Sequence, residues 1–231
     1  MANRTDPHAK MVHGVDPQSL IEAILRNRVY DSRFWKEKCF ALDAGSVVDE
    51  AVKLAYIGGT YSAVATPCPF LCLVLKLLQL GPERAIVAEY VGAEGFKYLR
   101  ALGAMYVRLT CRPEDVYTTL EPLLLDYRKL AVRSVTGWTL TTMDAFVDDL
   151  LRGEIVCGVT LPHLPKRPSG LPPRRSPLGE ELGLSAPQPG LLGKRPRAEE
   201  EEEEEQTAPG GDASVDEWNA VRAKLGLAPL K

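Results

Sequence analysis

Hydrophobic residues recur at helical spacing through about the first 165 residues of the chain. The clearest stretch is residues 96–110, where apolar side chains form one stripe and no proline interrupts the pattern. Gly103 lies in this stripe although glycine inside a helix costs about 1 kcal/mol relative to alanine, so we expect another backbone to pass close by. Arg100 and Arg108 flank the stripe, where their stems can cover apolar surface and their charged ends can reach a carboxylate.

The same periodicity predicts further helices, and proline or glycine marks most of their ends. The predicted helices cover about residues 19–30, 32–40, 44–56, 69–80, 83–91, 96–110, 114–130 and 143–151. Pro122 is expected to kink or break the helix that contains it. Thr136-Gly137, between two short runs typical of strands, predicts one short hairpin near residues 131–141. We therefore expect an all-α fold, a single multi-helix domain with at most a short β-hairpin.

A change of composition near residue 165 divides the chain into three predicted segments. Residues 1–165 are expected to form the helical domain. Residues 166–213 are rich in proline and glycine and contain seven consecutive glutamates at 199–205, which predicts a disordered, extended linker. Residues 214–231 return to a helical pattern and are expected to form a short terminal helix that binds a partner.

The terminal segment has the features of a helix that needs a partner. A serine and a glutamate three residues later form a capping box, Trp218, Val221 and Leu225 make an apolar stripe, and Gly226 is a natural stop. A helix of about eleven residues is too short to be stable alone in water. We interpret it as a binding peptide; the alternative is that it folds back on the helical domain.

Overall charge and hydrophobicity exclude several classes of protein. The 231 residues include 28 Lys and Arg against 31 Asp and Glu, a net charge of −3, which argues against a surface devoted to nucleic acid. The longest apolar run, residues 70–75, is far too short to span a bilayer, so we expect no membrane contact. We expect no secretory signal at the N-terminus and, from five cysteines without scaffold spacing, reduced thiols inside the cell.

No motif in the chain predicts a cofactor or a metal site. Cys68 and Cys72 are the only close cysteine pair, and a structural zinc site would need two more ligands. We expect both to be buried thiols, and we keep a thiol enzyme that uses one of them as an alternative. Gly58-Gly59 lacks the lysine of a phosphate-binding loop and is interpreted as a turn.

Many short words in the first 165 residues occur in the same order in one known family. They include His13-Gly14, Arg28-x-Tyr30, Trp35-Lys36-Glu37, Gly58-Gly59-x-Tyr61, Pro67-x-Pro69-Phe70-Leu71-Cys72-Leu73, Phe96-Lys97-Tyr98, Leu102-Gly103-Ala104-x-Tyr106, Leu120-Glu121-Pro122-Leu123 and Asp126-Tyr127-Arg128-Lys129. This region closely resembles the pre-mRNA-splicing factor 38 family. The resemblance implies a helical, non-enzymatic component of the spliceosome in the nucleus, which docks other splicing proteins at the activation of the precatalytic complex.

The end of the chain resembles a second motif and departs from family members that end in an Arg/Ser repeat. The matching residues are Asn219, Arg222, Leu225, Gly226, Leu227, Pro229 and Leu230. They resemble the short motif, best known from another tri-snRNP protein, that recruits the ubiquitin-like modifier used in splicing. The resemblance implies that Arg222 pairs with an acidic residue of the modifier. Trp218 stands where the motif usually has threonine.

The expected binding surface of the helical domain rests on two residues and their surroundings. Tyr61, after the predicted turn, and Lys97, at the start of the 96–108 helix, are our candidates for docking splicing proteins. The alternative is a splicing factor that binds RNA directly, although the chain shows no aromatic RNA-reading motif, and we otherwise expect RNA contact only within the assembled spliceosome. A basic cluster at 194–197, with Arg174-Arg175 upstream, supports the nuclear location.

Overall fold

The computed structural model describes residues 3–62 and 64–171, and these are mostly helical. The α-helices are α1 (Ala23–Asp31), α2 (Ala44–Val52), α3 (Pro69–Leu80), α4 (Arg84–Gly92), α5 (Lys97–Thr110), α6 (Pro113–Leu120) and α7 (Met143–Arg152). Short 3₁₀ turns lie at Pro17–Leu20 and Glu121–Leu125, and a π-helical turn lies at Trp35–Cys39. No helix in this part of the chain is both long and apolar enough to cross a bilayer.

Helices α3 and α5 form the centre of the hydrophobic core. Pro69 opens α3, whose next ten residues are all buried, and Gly81 ends it in the left-handed conformation at φ +58°. Helix α5 packs against α3 on one side and α4 on another. A Cβ atom on Gly103 would lie only 3.1 Å from the Tyr90 Cβ and 3.2 Å from the Val91 backbone nitrogen. The expected close approach at Gly103 is therefore confirmed, and the neighbouring backbone is that of α4.

The two arginines of α5 have different partners. Arg100 reaches a carboxylate as expected, with 2.9 Å between Nη1 and the Asp126 Oδ2. Arg108 is buried and reaches no carboxylate among the described residues. It donates instead to the backbone oxygens of Leu150 and Pro162, both at 2.7 Å. Burial lowers the pKa of Arg108. The expectation of a carboxylate partner is wrong for Arg108, because the end of α7 and the segment that contains Pro162 supply carbonyl groups at that depth.

The strand content exceeds the expectation of at most one hairpin, which is therefore wrong. The described part of the chain contains three antiparallel pairs: β1 (Thr60–Tyr61) with β2 (Thr66–Pro67), β3 (Lys129–Ser134) with β4 (Gly137–Thr142), and β5 (Ile155–Val156) with β6 (Val159–Thr160). Only β3–β4, the pair that was expected, is longer than two residues per strand. Strands of two residues are too short to give an alternating sequence pattern, so periodicity could not predict the β1–β2 and β5–β6 pairs. The β5–β6 turn has positive φ at both Cys157 and Gly158.

An N-terminal segment, in which no helix is predicted, packs over the end of α3. The Trp35 indole donates to the Asn3 side chain at 3.1 Å, and the backbone nitrogen of Asp6 donates to the Gln79 carbonyl at 2.9 Å. At the other end, Arg167 pairs with Glu121 at 2.7 Å. The predicted linker beyond residue 171 and the terminal helix at 214–231 lie outside the described residues.

Candidate functional site

The β3–β4 hairpin projects two faces of different character. Its strands pair Arg133 with Trp138, Ala131 with Leu140 and Val132 with Thr139 around a two-residue turn. Because side chains alternate along a strand, Arg133, Trp138 and Leu140 share one face, which we call the outer face. The opposite face includes Leu130, which is fully buried against the helical core. The hairpin is therefore anchored by one face and presents the other.

An aromatic cluster surrounds Arg133 on the outer face. Its guanidinium carbon lies 3.9 Å from the ring centre of Tyr61, 5.1 Å from that of Trp138 and 5.9 Å from that of Tyr56. Tyr56 and Trp138 also meet edge to face, with 5.0 Å between their ring centres. A guanidinium held among rings gains cation–π attraction and holds the rings in place. Arg133 therefore pre-organises an aromatic surface that is contributed by three separate segments.

Large apolar side chains on this hairpin are open to solvent. Trp138 is 60% exposed, Leu140 66% and Val135, in the turn, 62%. Ile155, on the neighbouring β5–β6 hairpin, is 66% exposed. Single exposed apolar residues are common, but a group of this size on one protruding element is typical of an interaction surface. Tryptophan, tyrosine and arginine are also the residues most enriched among those that dominate binding between proteins.

A groove of about 660 Å³ lies beside the hairpin. Its lining comes from β3–β4, from the segment before β1, from α7 and from the β5–β6 hairpin. Gly58 and Gly59 form its inner wall by close backbone packing. A Cβ atom would lie 2.3 Å from the Arg133 backbone oxygen at Gly58, and 2.0 Å from the Cys157 backbone oxygen at Gly59. The Gly58-Gly59 pair thus serves to pack three segments together at the base of the groove.

Both predicted residues of the helical domain lie against this hairpin, at its two ends. Tyr61 stacks on Arg133 near the turn of the β3–β4 hairpin. Lys97 donates from Nζ to the Lys129 backbone oxygen at 2.6 Å, at the base of the hairpin, and its Nζ lies 5.1 Å from the Tyr98 ring centre. The rest of α5 from Leu99 to Leu109 is almost entirely buried, so only its first turn is available at the surface.

The terminal residues that complete the predicted binding set lie outside the described residues. They are Trp218, Asn219, Val221, Arg222, Leu225, Gly226, Leu227, Pro229 and Leu230. The predictions made for them stay predictions.

An ion-pair cluster fixes the base of the hairpin. Asp126 accepts from Arg100 at 2.9 Å and from Arg128 Nε at 2.8 Å. The hydrogen bond from Arg128 is the main reason that the pKa of Asp126 falls to about 2. The backbone oxygens of Asp126 and Arg128 accept from the first residues of α7, Asp144 and Met143, both at 3.0 Å. The cluster therefore ties α5, the start of β3 and the start of α7 into one support.

The cysteines do not have the environment of reactive thiols. Cys68 and Cys72 are both fully buried, as expected. Burial raises the pKa of Cys68 to about 11 and that of Cys72 to about 12, so neither forms a thiolate at neutral pH. This finding counts against the thiol-enzyme alternative. No group of three or more potential metal-binding side chains occurs within residues 3–62 and 64–171.

Sequence reasoning missed Tyr56, Arg133, Trp138 and Leu140. The signal that was available is the alternation in residues 137–142, where tryptophan and leucine alternate with threonine. This alternation predicts a strand with one apolar face but does not tell whether that face is buried. The contact of Arg133 with Tyr56 and Tyr61 joins segments that are distant in sequence, so no local pattern reports it.

Comparisons with known proteins agree with the fold and the sequence motifs. Residues 10–170 match the model of the PRP38 family. Pre-mRNA-splicing factor 38A of Xenopus tropicalis is 50% identical over 188 residues, which are 79% of this chain and 60% of that protein. Pre-mRNA-splicing factor 38 of Drosophila melanogaster is 48% identical over 193 residues, which are 81% of this chain and 58% of that protein. This chain thus spans about 60% of the length of the curated relatives that it matches.

A solved structure resembles this chain as well. A chain in the crystal structure of the Snu23-Prp38-MFAP1(217-258) complex of Chaetomium thermophilum has 41% identity and a TM-score of 0.65. The match covers 87% of this chain and all of that one. The family match and the identity to these relatives show that this chain belongs to the PRP38 family.

Proposed function

We propose that this chain is a non-enzymatic spliceosomal protein that docks other splicing proteins through the outer face of the β3–β4 hairpin. The observation that carries the proposal is the exposed pair Trp138 and Leu140 beside the aromatic cluster of Arg133. A cluster of rigid aromatic side chains offers large contact area at small entropic cost on binding. Family membership supports the connection with pre-mRNA splicing.

The proposed partners are proteins of the Snu23 and MFAP1 types. The related crystal structure is of a complex that contains both of these proteins together with Prp38. Its similarity to this chain at 41% identity supports the same kind of association here. We further propose that the chain acts in the nucleus, at the activation of the precatalytic spliceosome, as the family resemblance implies.

The test is a binding assay with the full chain and two matched double variants. Trp138→Ala with Leu140→Ala removes the exposed pair of the hairpin. Ile24→Ala with Phe40→Ala removes two apolar side chains of similar exposure, 66% and 65%, outside the hairpin. We expect only the hairpin variant to lose binding to Snu23 or MFAP1 in isothermal titration. Unchanged binding of both partners by the hairpin variant would refute the assigned surface.

Direct RNA binding is the alternative function, and one observation favours it. Lys129 and Arg133 share the outer face, with Lys97 beside its base. Two other cations of the region, Arg100 and Arg128, share Asp126 as an ion-pair partner, and Arg100 also lies 3.8 Å from Glu94. The guanidinium of Arg133 is covered by rings. The docking proposal predicts weak, salt-sensitive RNA binding. Tight binding of splicing RNA at moderate salt, without binding to either protein partner, would favour the alternative.

We also propose that residues 214–231 recruit a ubiquitin-like modifier. The support is the sequence motif described above, with Trp218, Val221 and Leu225 entering an apolar groove and Arg222 pairing with a carboxylate of the modifier. Leu227 and Leu230 add contacts beyond Gly226. Residues 214–231 must become ordered on binding, and this ordering costs free energy that offsets part of the contact energy. We therefore expect a dissociation constant on the order of micromolar.

The terminal proposal is tested by titrating the full chain with the ubiquitin-like modifier. Arg222→Ala should weaken binding by about 2–5 kcal/mol if the ion pair is desolvated, because a carboxylate is left without its partner. Arg222→Lys should restore only part of this loss, since an ammonium group cannot bond both oxygens side by side. Equal binding by wild type and Arg222→Ala, or no binding by either, would remove Arg222 as the anchor.

A further inference from the structure

The two edges of the β3–β4 hairpin are used differently. In a hairpin closed by a two-residue turn, the backbone groups of Arg133, Ala131, Trp138 and Leu140 point away from the partner strand. On the β3 side they are occupied. Arg133 donates to the Ile57 oxygen at 2.9 Å, Ile57 donates to the Ala131 oxygen at 2.9 Å, and Ala131 donates to the Tyr98 hydroxyl at 3.3 Å.

On the β4 side the corresponding groups are open. The structure shows no backbone or side-chain partner for the outward amide and carbonyl of Trp138 or of Leu140 anywhere in residues 3–62 and 64–171. An edge strand with free donors and acceptors is a template for a further strand. Natural proteins usually protect such edges with charged residues or proline, and β4 contains neither.

The groove beside β4 supplies a place for the side chains of an added strand. Its lining includes buried residues, among them Ile57, Phe146 and Val156. It also includes exposed residues, among them Thr139, Leu140 and Ile155. A strand paired with β4 would place alternate side chains toward these exposed residues. Apolar, β-branched side chains suit both the lining and the strand conformation.

Charge selects among the possible occupants. Asp149 lines the groove, is exposed and makes no ion pair with any residue that the structure describes. The nearest arginine on the same helix, Arg152, pairs with Asp148 at 2.8 Å. The arginine of the groove, Arg133, is held in the aromatic cluster. Asp149 is therefore an exposed carboxylate of the groove with no ion-pair partner among the described residues, which favours a lysine or arginine on the side of the strand that faces it.

Two occupants from this chain itself fit less well. A second copy that paired its own β4 would bring no basic residue, because residues 137–142 contain none. The basic clusters at 174–175 and 194–197 of the same chain lie next to or between prolines. Proline cannot donate a backbone hydrogen bond, so these segments are poor strands for a free edge.

We propose that β4 accepts, as an added strand, an extended segment of another protein that alternates apolar residues with polar ones and carries one basic residue facing Asp149. This inference rests on the proposed docking function and names how the partner binds. Backbone hydrogen bonds to Trp138 and Leu140 give the register, and the groove reads alternate side chains.

The probe is a synthetic acetylated hexapeptide of valine, threonine, lysine, threonine, valine and threonine in that order. One matched peptide has glutamate in place of lysine, and another has N-methyl groups on alternate amides, which block strand pairing. Binding is followed by the NMR amide signals of the full chain. We expect the lysine peptide to shift the Trp138 and Leu140 amides. The N-methylated and the glutamate peptides should each bind at least tenfold more weakly.

The variant Asp149→Lys provides the decisive charge exchange. It alters an exposed helix position, and it should reverse the preference so that the glutamate peptide binds better than the lysine peptide. Shifts confined to other regions, equal binding of the N-methylated peptide, or an unchanged charge preference would overturn the proposal. Concentration-dependent changes at β4 without peptide would assign the edge to a second copy. If deletion of residues 172–231 shifts the amide signals of β4, the β4 edge would be assigned to the tail of this chain. Both results would also overturn the proposal.

The docking function can survive a failure of this test. If Trp138→Ala with Leu140→Ala abolishes Snu23 or MFAP1 binding while the peptide experiment fails, the outer face docks proteins by its side chains alone. If neither experiment succeeds, the assigned surface is wrong as a whole.

Discussion

Helix α5 and strand β4 both carry large apolar residues in a regular pattern, but α5 buries them and β4 leaves them exposed. From Ala101 to Leu109 every side chain of α5 is buried, including the charged Arg108. Strand β4 instead leaves Trp138 and Leu140 at least 60% exposed. Burial of apolar area is the main favourable contribution to folding, so side chains held open contribute little to it. The comparison separates residues that stabilise the domain from residues that are free to bind.

The largest expected effect is on the core side of this comparison. Phe70 in α3 is fully buried and meets Phe146 of α7 edge to face, with 6.4 Å between ring centres. Phe70→Ala should lower the free energy of unfolding by about 3–5 kcal/mol, through lost transfer energy and the cavity left behind. Phe40→Ala is the matched control. Phe40 is 65% exposed, and its loss should cost less than about 1 kcal/mol in chemical denaturation. Similar losses in the free energy of unfolding for the two variants would contradict the distinction between stabilising and exposed residues.

The next effect concerns the support beneath the hairpin. Gly59→Ala places a Cβ atom 2.0 Å from the Cys157 backbone oxygen, a distance that forces one segment to shift. We expect destabilisation of about 2–3 kcal/mol, as for other overpacked sites. Gly92→Ala is the control, since a Cβ atom there meets nothing within 4 Å, and it should stabilise α4 slightly. Thermal unfolding of both variants checks this prediction. An unchanged midpoint for Gly59→Ala would show that the three segments are not packed as described.

A smaller effect concerns pH and the ion-pair cluster that joins α5 to the hairpin. The pKa of Asp126 is about 2 in the folded protein, chiefly because Arg128 donates to it, and it returns to about 3.9 on unfolding. A lowered folded pKa means that the ionised group stabilises the fold above about pH 4 and loses this effect as pH falls toward 2. The contribution is about 2–3 kcal/mol at neutral pH.

The measurement is the free energy of unfolding between pH 2 and pH 7. Asp126→Asn should lower it at pH 7 and flatten its fall below pH 4. Asp31→Asn is the control, because the Asp31 side chain is 85% exposed and lies 4.0 Å from Lys36. If Asp126→Asn leaves the pH profile unchanged, the cluster does not hold the base of the hairpin.

The sequence predicted the helical side of the comparison far better than the binding side. Helix α3 was predicted at both ends because Pro69 and Gly81 are strong local signals, and the predicted break at Pro122 matches the end of α6 at Leu120. The helix predicted over 44–56 ends instead at Val52, because Ile57 leaves the helical path to pair with β3. Tertiary contacts there override a local preference for helix.

Most of the candidate site depended on such tertiary contacts. Tyr61 and Lys97 are candidates from their positions after the turn and at the start of a helix, and both contact the hairpin. Their part in binding stays a prediction. Trp138 and Leu140 carry a local pattern, but only the fold shows that their face stays open. The free edge of β4 also escapes sequence reasoning, because it depends on which distant segments the fold places beside Trp138 and Leu140.

The most direct test of the docking account is Trp138→Ala, measured for folding and for binding in the same samples. Because Trp138 is 60% exposed, the free energy of unfolding should change by less than about 1 kcal/mol. Calorimetric titration of the full chain with Snu23 or MFAP1 should show at least one partner bound about 30-fold more weakly, the loss of about 2 kcal/mol expected of a dominant interface residue. Unchanged affinity for both partners, or a loss of binding matched by an equal loss of folding stability, would contradict the account.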